Sequence, residues 1–459
     1  MEKLTLGMIT EFTSGELHDG DKDAAVEGFS IDTRTLQPRQ VFVALRGEKS
    51  DGHEHIEAAK RAGALAAIVA RDRLSGLPAG IPKVIVNEPL LGLQMTASRY
   101  RQLLPVRTIA ITGSNGKTST KELVSSVLAQ KYRLSKTEGN FNNHIGVPLS
   151  LLQLRPDDEL GVFEIGMNHA GELAPLIDMI LPEIGVITNV GTAHIEFFKD
   201  EAGIAQEKGT LAEKTPANGA VVLNRDNLPW SDQIAARTKA KVLWFGLDPS
   251  AAFRAERLMP HEKGTDFQLV TPDSRIDVNF QWPGRHQVYN ALAAAAVGWW
   301  FGLNLRQIRE GLESARPPKM RMQTIVVGDD IRILNDAYNA NPESMRAALE
   351  AFQRITARGR KIAVLGEMRE LGRHSQQAHQ TIGRIAAQSG CDVLVTVGSD
   401  GVWMAKGAVD AGLKPERLEQ FVNAAEAGKW LKDRALPGDL ILLKGSRGNR
   451  LEAILEYWK

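Results

Sequence analysis

Between Ile109 and Gln130 the chain reads IAITGSNGKTSTKELVSSVLAQ, and few short segments restrict a fold as tightly. A β-branched run leads into Gly113 and Gly116, then into apolar positions at helical spacing, Leu123, Val124, Val127 and Leu128. That order predicts a strand, a tight turn and a helix, the opening of an α/β layer. Glycines leave successive backbone amides free to point inward, and the helix start adds positive partial charge. The turn formed by Thr112, Gly113, Ser114, Asn115, Gly116, Lys117, Thr118 and Ser119 is therefore expected to hold ATP. Lys117 reaches the outer phosphates and Thr118 offers a hydroxyl to magnesium. Ile111 stands where the general phosphate-loop pattern has its first glycine, so the spacing is shorter than that pattern. An ordinary glycine turn capped by Ser114 or Thr118 is the competing structural reading.

The same grammar recurs along the chain. Up to Leu104 the runs VFVAL, AAIVA and KVIVN alternate with the helical stretch HIEAAKRAG, which predicts a small α/β domain over residues 1–104. LLPVRT reads as a linker. Over 105–317 the runs TIAIT, GVFEIG, GVITNV, AVVLN and KVLWFG are predominantly apolar and separated by helices, the pattern of a mostly parallel sheet covered on both faces. DFQLV and RIDVNFQW flank TPDS and predict a hairpin before an alanine-rich helix after Gln287. ARPPKMRM marks the next break. Beyond it, over 318–459, KIAVLG, VLVTVG and DLILLKG alternate with helices such as PESMRAALEAFQRI, a Rossmann-like α/β domain. Three domains also suit 459 residues at about 150 per domain.

Composition narrows the partners. With 43% hydrophobic and 24% charged residues the chain reads as globular, and a net charge of +1 predicts no basic face for nucleic acid. The single cysteine, Cys391, excludes an intramolecular disulfide and fits a reducing compartment. ALAAAAVGWWFGL, the longest apolar stretch, falls short of the roughly 20 residues that cross a bilayer. MEKLTLGMITEF lacks the features of an export signal. The expectation is a cytoplasmic protein without membrane insertion, read as a monomer.

Other polar residues follow apolar runs, where α/β sheets place ligands. Glu164 ends GVFEIG, while Thr188, Asn189 and His194 follow GVITNV. A carboxylate and an imidazole suit magnesium or manganese, against the plain alternative of helix caps or satisfied polar groups. Lys208, in IAQEKGTLAEK, reads from its surroundings as a solvated helix lysine. Arg321, Asp336, Tyr338, Asn339 and Asn341 form a polar run at the entry to the third region, alternatively a turn rich in asparagine caps.

TGSNGKTST, EGNFNNHIGVPLSLL, FEIGMNHAGEL, TNVGTAHIEFF, PGRHQVYNALAAAA, NDAYNANPESM and LLKGSRGNRLE occur in one order across the three regions. Together they resemble the ATP-dependent Mur ligases over essentially the whole chain, most closely the branch that adds D-alanyl-D-alanine. DAYNANP and SIDTRTLQPRQVFVALRGEKSDGH are the segments specific to that branch. The resemblance implies an amide ligase that joins D-alanyl-D-alanine to UDP-N-acetylmuramoyl-tripeptide, making the pentapeptide precursor of peptidoglycan. By the same resemblance Ser30, Thr33 and Arg34 contact the uridine nucleotide, and Asn142 and Asn143 lie near the peptide. Glu164 and His194 match magnesium ligands, and Lys208 matches a lysine that becomes carbamoylated and helps position metal. Asn290 matches an adenine contact, Arg321 approaches the γ-phosphate, and Asp336, Tyr338 and Asn341 lie beside the nucleotide. Lys444 and Ser446 fall in a family segment without an assigned role. Gln287 and His55 depart from the residues common in the family, asparagine and an aromatic.

The chemistry implied is acyl activation. A carboxylate does not condense with an amine because oxide leaves poorly, so ATP first phosphorylates the acid. Lys117, Arg321 and magnesium then act by charge stabilisation and alignment, with no protein nucleophile. An acyl phosphate must be kept from water, which predicts closure of the third domain on a hinge near Pro317 and Pro318. Two other readings fit the turn: a ligase of the same superfamily with another amino acid or a folate tail as substrate, and a nucleotide-switched binding protein.

Overall fold

The computed structural model describes residues 4–47 and 50–458. Residues 1–3 of the opening stretch, and Glu48 and Lys49 of the branch-specific segment, lie outside it.

Three sheets of five, nine and six strands account for the described strands. In the first, Ala66–Ala70 lies parallel between Gln40–Val43 and Lys83–Val86, and a short antiparallel strand, Glu16–His18, covers one edge. The helix Pro89–Leu103 leads on to the second sheet. LLPVRT is less of a linker than its composition predicts. The helix runs to Leu103, Leu104 and Val106 are buried, and the next strand starts at Arg107. Burying those apolar side chains ties the first region onto the second.

In the second sheet Arg107–Thr112 lies parallel between Leu160–Glu164 and Ile184–Ile187. Strand alternation divides its side chains between two cores. Ile109 and Ile111 pack with Leu123, Val127 and the buried run from Ala291 to Val297, on the face covered by the helices Lys117–Leu128 and Arg285–Trp300. Ala110 faces the other way, toward Ile177, Ile204 and Leu211 of the helices Leu173–Ile180 and Glu201–Lys214. Arg285–Trp300 is apolar around most of its circumference because it is enclosed. The expected hairpin is present, with Phe267 opposite Val278, and a nine-residue strand, Phe253–His261, extends it to three antiparallel strands at the sheet edge.

The third sheet runs Gln323–Val327, Ile331–Asn335, Leu440–Lys444, Lys361–Gly366, Val393–Val397 and Leu418–Phe421, antiparallel only at the first pair. MRMQTIVVGDDIRILNDAYNANP is thus mostly a hairpin whose second strand feeds the helix Pro342–Arg354. One apolar cluster continues from Val41 through Ala110 to Leu349, so the three regions share buried surface. Among the described residues no helix is long and apolar enough to cross a membrane.

Candidate active site

The turn after Thr112 is built as its composition requires. Gly113 has φ 150°, and a Cβ there would lie 1.8 Å from Thr188 Oγ1. Gly116 has φ 84°, and a Cβ there would lie 2.5 Å from Asn290 Oδ1. Either substitution forces atoms to move. Gly116 is also the N-cap of Lys117–Leu128 and offers the helix amides no side-chain acceptor. Ser114 does not cap the helix. Its hydroxyl donates to Gly191 O at 3.1 Å and accepts from Gly191 N at 2.9 Å. First-turn amides without a side-chain cap at a helix start are what an anion needs, so the capped-turn alternative loses its support.

A cavity of about 440 Å³ opens in front of this turn. Its wall combines Ser114, Asn115, Gly116, Lys117 and Thr118 with Asn142, Asn143, Glu164 and His194 from the second region. From the third region come Arg321, Tyr338, Asn339 and Asn341. Glu164 is 2% exposed; its Oε1 accepts from Asn142 Nδ2 at 2.8 Å, and its Oε2 is buried without a partner. Lys117 Nζ donates to Gly113 O at 2.8 Å. Burial lowers its pKa, Glu164 opposes that shift, and the Arg321 charge adds to it. Arg321 stacks on the Tyr338 ring at 4.1 Å, which aims its guanidinium, and among the described residues it has no ion pair. Asn143 is already half committed, since its Oδ1 accepts from Ile145 N and Gly146 N.

Several expected residues stand behind the wall. Thr112, Gly113 and Ser119 support the turn from within. Asn290 is buried, accepting from Thr120 Oγ1 at 3.1 Å and donating to Gln287 Oε1 at 2.9 Å, so Gln287 helps aim the amide that meets Gly116. Asp336 is held by Lys444 Nζ at 2.6 Å and by Met322 N at 3.0 Å. Burial lowers the Lys444 pKa and Asp336 opposes the shift. Lys444 also donates to Asn339 O, and the Ser446 hydroxyl accepts from Arg369 N, so this segment braces the strand ends.

Lys208 departs from the solvated-lysine reading. It is 2% exposed, because its helix turns that face against the sheet. Burial drives its pKa well below the ordinary lysine value, the Lys117 charge adds to the drop, and Glu207 opposes it. Burial thus disfavours the charged form of this amine, within reach of the Lys117 charge at the glycine turn.

Ser30, Thr33 and Arg34 lie in the first region and are not part of this cavity wall. Ser30 Oγ donates to Asp32 O, while Arg34 forks onto Asp32, at 2.9 Å from Nε and 2.6 Å from Nη2. Hydrogen bonds from Arg34 pull the Asp32 carboxyl down to about 2. His55 ends the short helix Gly52–His55.

Among the described residues no three His, Cys, Asp or Glu side chains cluster as a ready-made metal cage. The unpartnered Glu164 Oε2 and the Thr118 hydroxyl nevertheless fit magnesium, which usually takes one or two protein oxygens and completes its shell with phosphate and water. His194, with φ 65°, holds Nδ1 2.6 Å from Glu370 Oε2, an ion-pair distance without hydrogen-bond alignment.

Segments 25–91, 111–298 and 320–447 match, in turn, the Mur ligase family catalytic domain, the Mur ligase middle domain and the Mur ligase glutamate ligase domain. Over 99% of its length the chain is 34% identical to the UDP-N-acetylmuramoyl-tripeptide–D-alanyl-D-alanine ligase of Bacillus subtilis (strain 168), covering 98% of that protein. The chain belongs to the Mur ligase family. Its backbone agrees: the crystal structure of MurF from Acinetobacter baumannii superposes with a TM-score of 0.88 at 29% identity, over 99% of this chain and 98% of that one. The MurF ligase of Thermotoga maritima, solved in complex with ADP, gives 0.82 at 27% identity over 95% of this chain and 98% of that one.

Within this Mur ligase, Glu343, Arg369 and Glu370 were not legible in the sequence. All three sit in the third region, and Arg369 and Glu370 line the cavity. Glu343 lies in the first turn of its helix and reads as a dipole-complementing surface acid. For Glu370 the φ of 62° is a backbone signal, but it exists only in the folded chain.

Proposed function

We propose that this Mur ligase joins D-alanyl-D-alanine to UDP-N-acetylmuramoyl-tripeptide at the expense of ATP. The observation that carries the reading is that Lys117, Glu164 and Arg321 converge on one cavity, in a chain matching ligases of that name from end to end. The working units are 1–104 for the uridine end, with Ser30, Thr33 and Arg34, 105–317 for the nucleotide, and 318–459 for closure and the incoming amine. Asn290 serves adenine, Asp336, Tyr338 and Asn341 the rest of the nucleotide, and Asn142 and Asn143 the peptide. The enzyme is read as a cytoplasmic monomer, its product feeding the cell wall on which bacterial shape and division depend.

In the first step a tripeptide carboxylate oxygen bonds to the γ-phosphorus and the bond to ADP breaks. In the second the amine nitrogen bonds to the acyl carbon, phosphate leaves with that oxygen, and the proton lost by the nitrogen goes to the departing phosphate. Lys117 and Arg321 sit where charge gathers in both steps and act by electrostatic stabilisation. Asn142 holds Glu164 Oε1, leaving Oε2 for a metal. Glu164, Thr118, His194 and a carbamoylated Lys208 would hold magnesium, which neutralises phosphate charge. The third region excludes water.

Incubation with ATP, magnesium, UDP-muramoyl tripeptide and a panel of amines, read by mass, tests this. Product is expected with D-alanyl-D-alanine and not with single amino acids. Oxygen-18 in the acid should appear in the phosphate released. Product only with a single amino acid, or ATP turnover indifferent to every acceptor, discards the assignment.

A further inference from the structure

The third region reaches the phosphate turn through a residue with no role in the reading above. Glu343, in the first turn of Pro342–Arg354, accepts from Thr192 N at 3.1 Å and from Thr192 Oγ1 at 2.8 and 3.0 Å. Thr192 belongs to the loop that braces the turn. In that loop Asn189 O accepts from Ser114 N at 3.0 Å, Asn189 Oδ1 accepts from Asn115 N at 2.9 Å, and Gly191 exchanges bonds with Ser114 Oγ. A Cβ on Gly191 would meet Glu343 Cδ at 3.3 Å, so the carboxylate lies directly on this backbone. The helix touches the turn itself once more, where Asn341 Nδ2 donates to Asn115 Oδ1 at 2.8 Å.

We propose that Glu343 is a positioning residue that makes the order of the phosphate turn depend on docking of the third region. Its carboxylate binds both polar hydrogens of Thr192, a residue two places before His194 and one after Gly191. When the helix departs, the Thr192 N–H and hydroxyl lose their acceptor and the brace on Ser114 and Asn115 loosens. Nucleotide can then enter an adjustable turn, and docking stiffens it for phosphoryl transfer. For the catalytic step this rests on the ligase reading; for the ordering of the turn it does not.

The test uses the full chain and two variants, Glu343→Ala and Glu343→Gln; the glutamine amide can still accept from Thr192 N. Amide hydrogen exchange without ligand is expected to run about tenfold faster in Glu343→Ala across Ser114 and Asn115 as well as at Thr192, and to stay within about twofold in Glu343→Gln. In the condensation assay Glu343→Ala should lower kcat about tenfold with KM for ATP changed less than about threefold, and Glu343→Gln should recover most of the rate. Acceleration confined to Thr192, unchanged kcat in Glu343→Ala, or equal losses in both variants overturns the proposal. A wild-type chain that makes no amide refutes the ligase reading instead, and the exchange at Ser114 and Asn115 then decides the positioning claim alone.

Discussion

Turnover by the Lys117→Ala variant is expected to fall by about 10²–10³-fold, with folding intact. Lys117 is held by Gly113 O at 2.8 Å, inside the turn it serves, so its ammonium is fixed before any phosphate arrives. Burial of the ammonium lowers the Lys117 pKa and the Arg321 charge adds to the drop, so keeping this cation in the cavity costs stability. The return comes only when negative charge builds on the transferring group, which is why the loss should fall on kcat more than on the thermal midpoint. Phosphate release with both substrates present measures the first, and a melting curve the second. A variant retaining a tenth of wild-type turnover would remove Lys117 from the phosphoryl-transfer step.

Lys208→Ala should lose most activity, with partial recovery on adding short carboxylates that replace a carbamate. Full activity in that variant would leave Lys208 a structural residue. Stability is expected to move the other way. Lys208 binds a proton less readily folded than unfolded, because burial and the Lys117 charge lower its pKa from 10.5. Where the unfolded chain binds more protons, stability rises with pH, so this penalty is largest below the folded pKa and fades as pH climbs toward 10.5. Lys208→Met, which keeps the stem and drops the charge, should therefore be more stable than wild type by about 0.5–2 kcal/mol near neutrality, with a smaller gap at pH 9. Urea unfolding in carbon-dioxide-free buffer at both pH values measures it.

Much of the fold was legible because its signals are local. TIAIT, GVFEIG and GVITNV are predominantly apolar, and each supplied a central strand buried on both faces. The hairpin around TPDS declared itself by alternation, and PESMRAALEAFQRI by its 3.6-residue period and its proline start. The strand Phe253–His261 was missed because only Phe253 and Ala255 in it are buried and its second half is mostly exposed, which leaves no sustained apolar alternation. LLPVRT misled because a proline among three apolar residues looks alike in a linker and in a packed joint.

The site divides along the same line. The chain alone determined the glycine turn, since Gly113 and Gly116 are dictated by backbone geometry within a few residues, and the strand and helix around them by side-chain period. Tertiary structure decided which groups meet that turn: that Lys208 is buried, that Asn290 backs Gly116, and that Glu343 and Glu370 reach across from the third region. Asn341 meets Asn115 across 226 residues of chain. Short-range sterics write themselves into neighbouring letters, whereas a contact between distant residues depends on how whole sheets and helices pack.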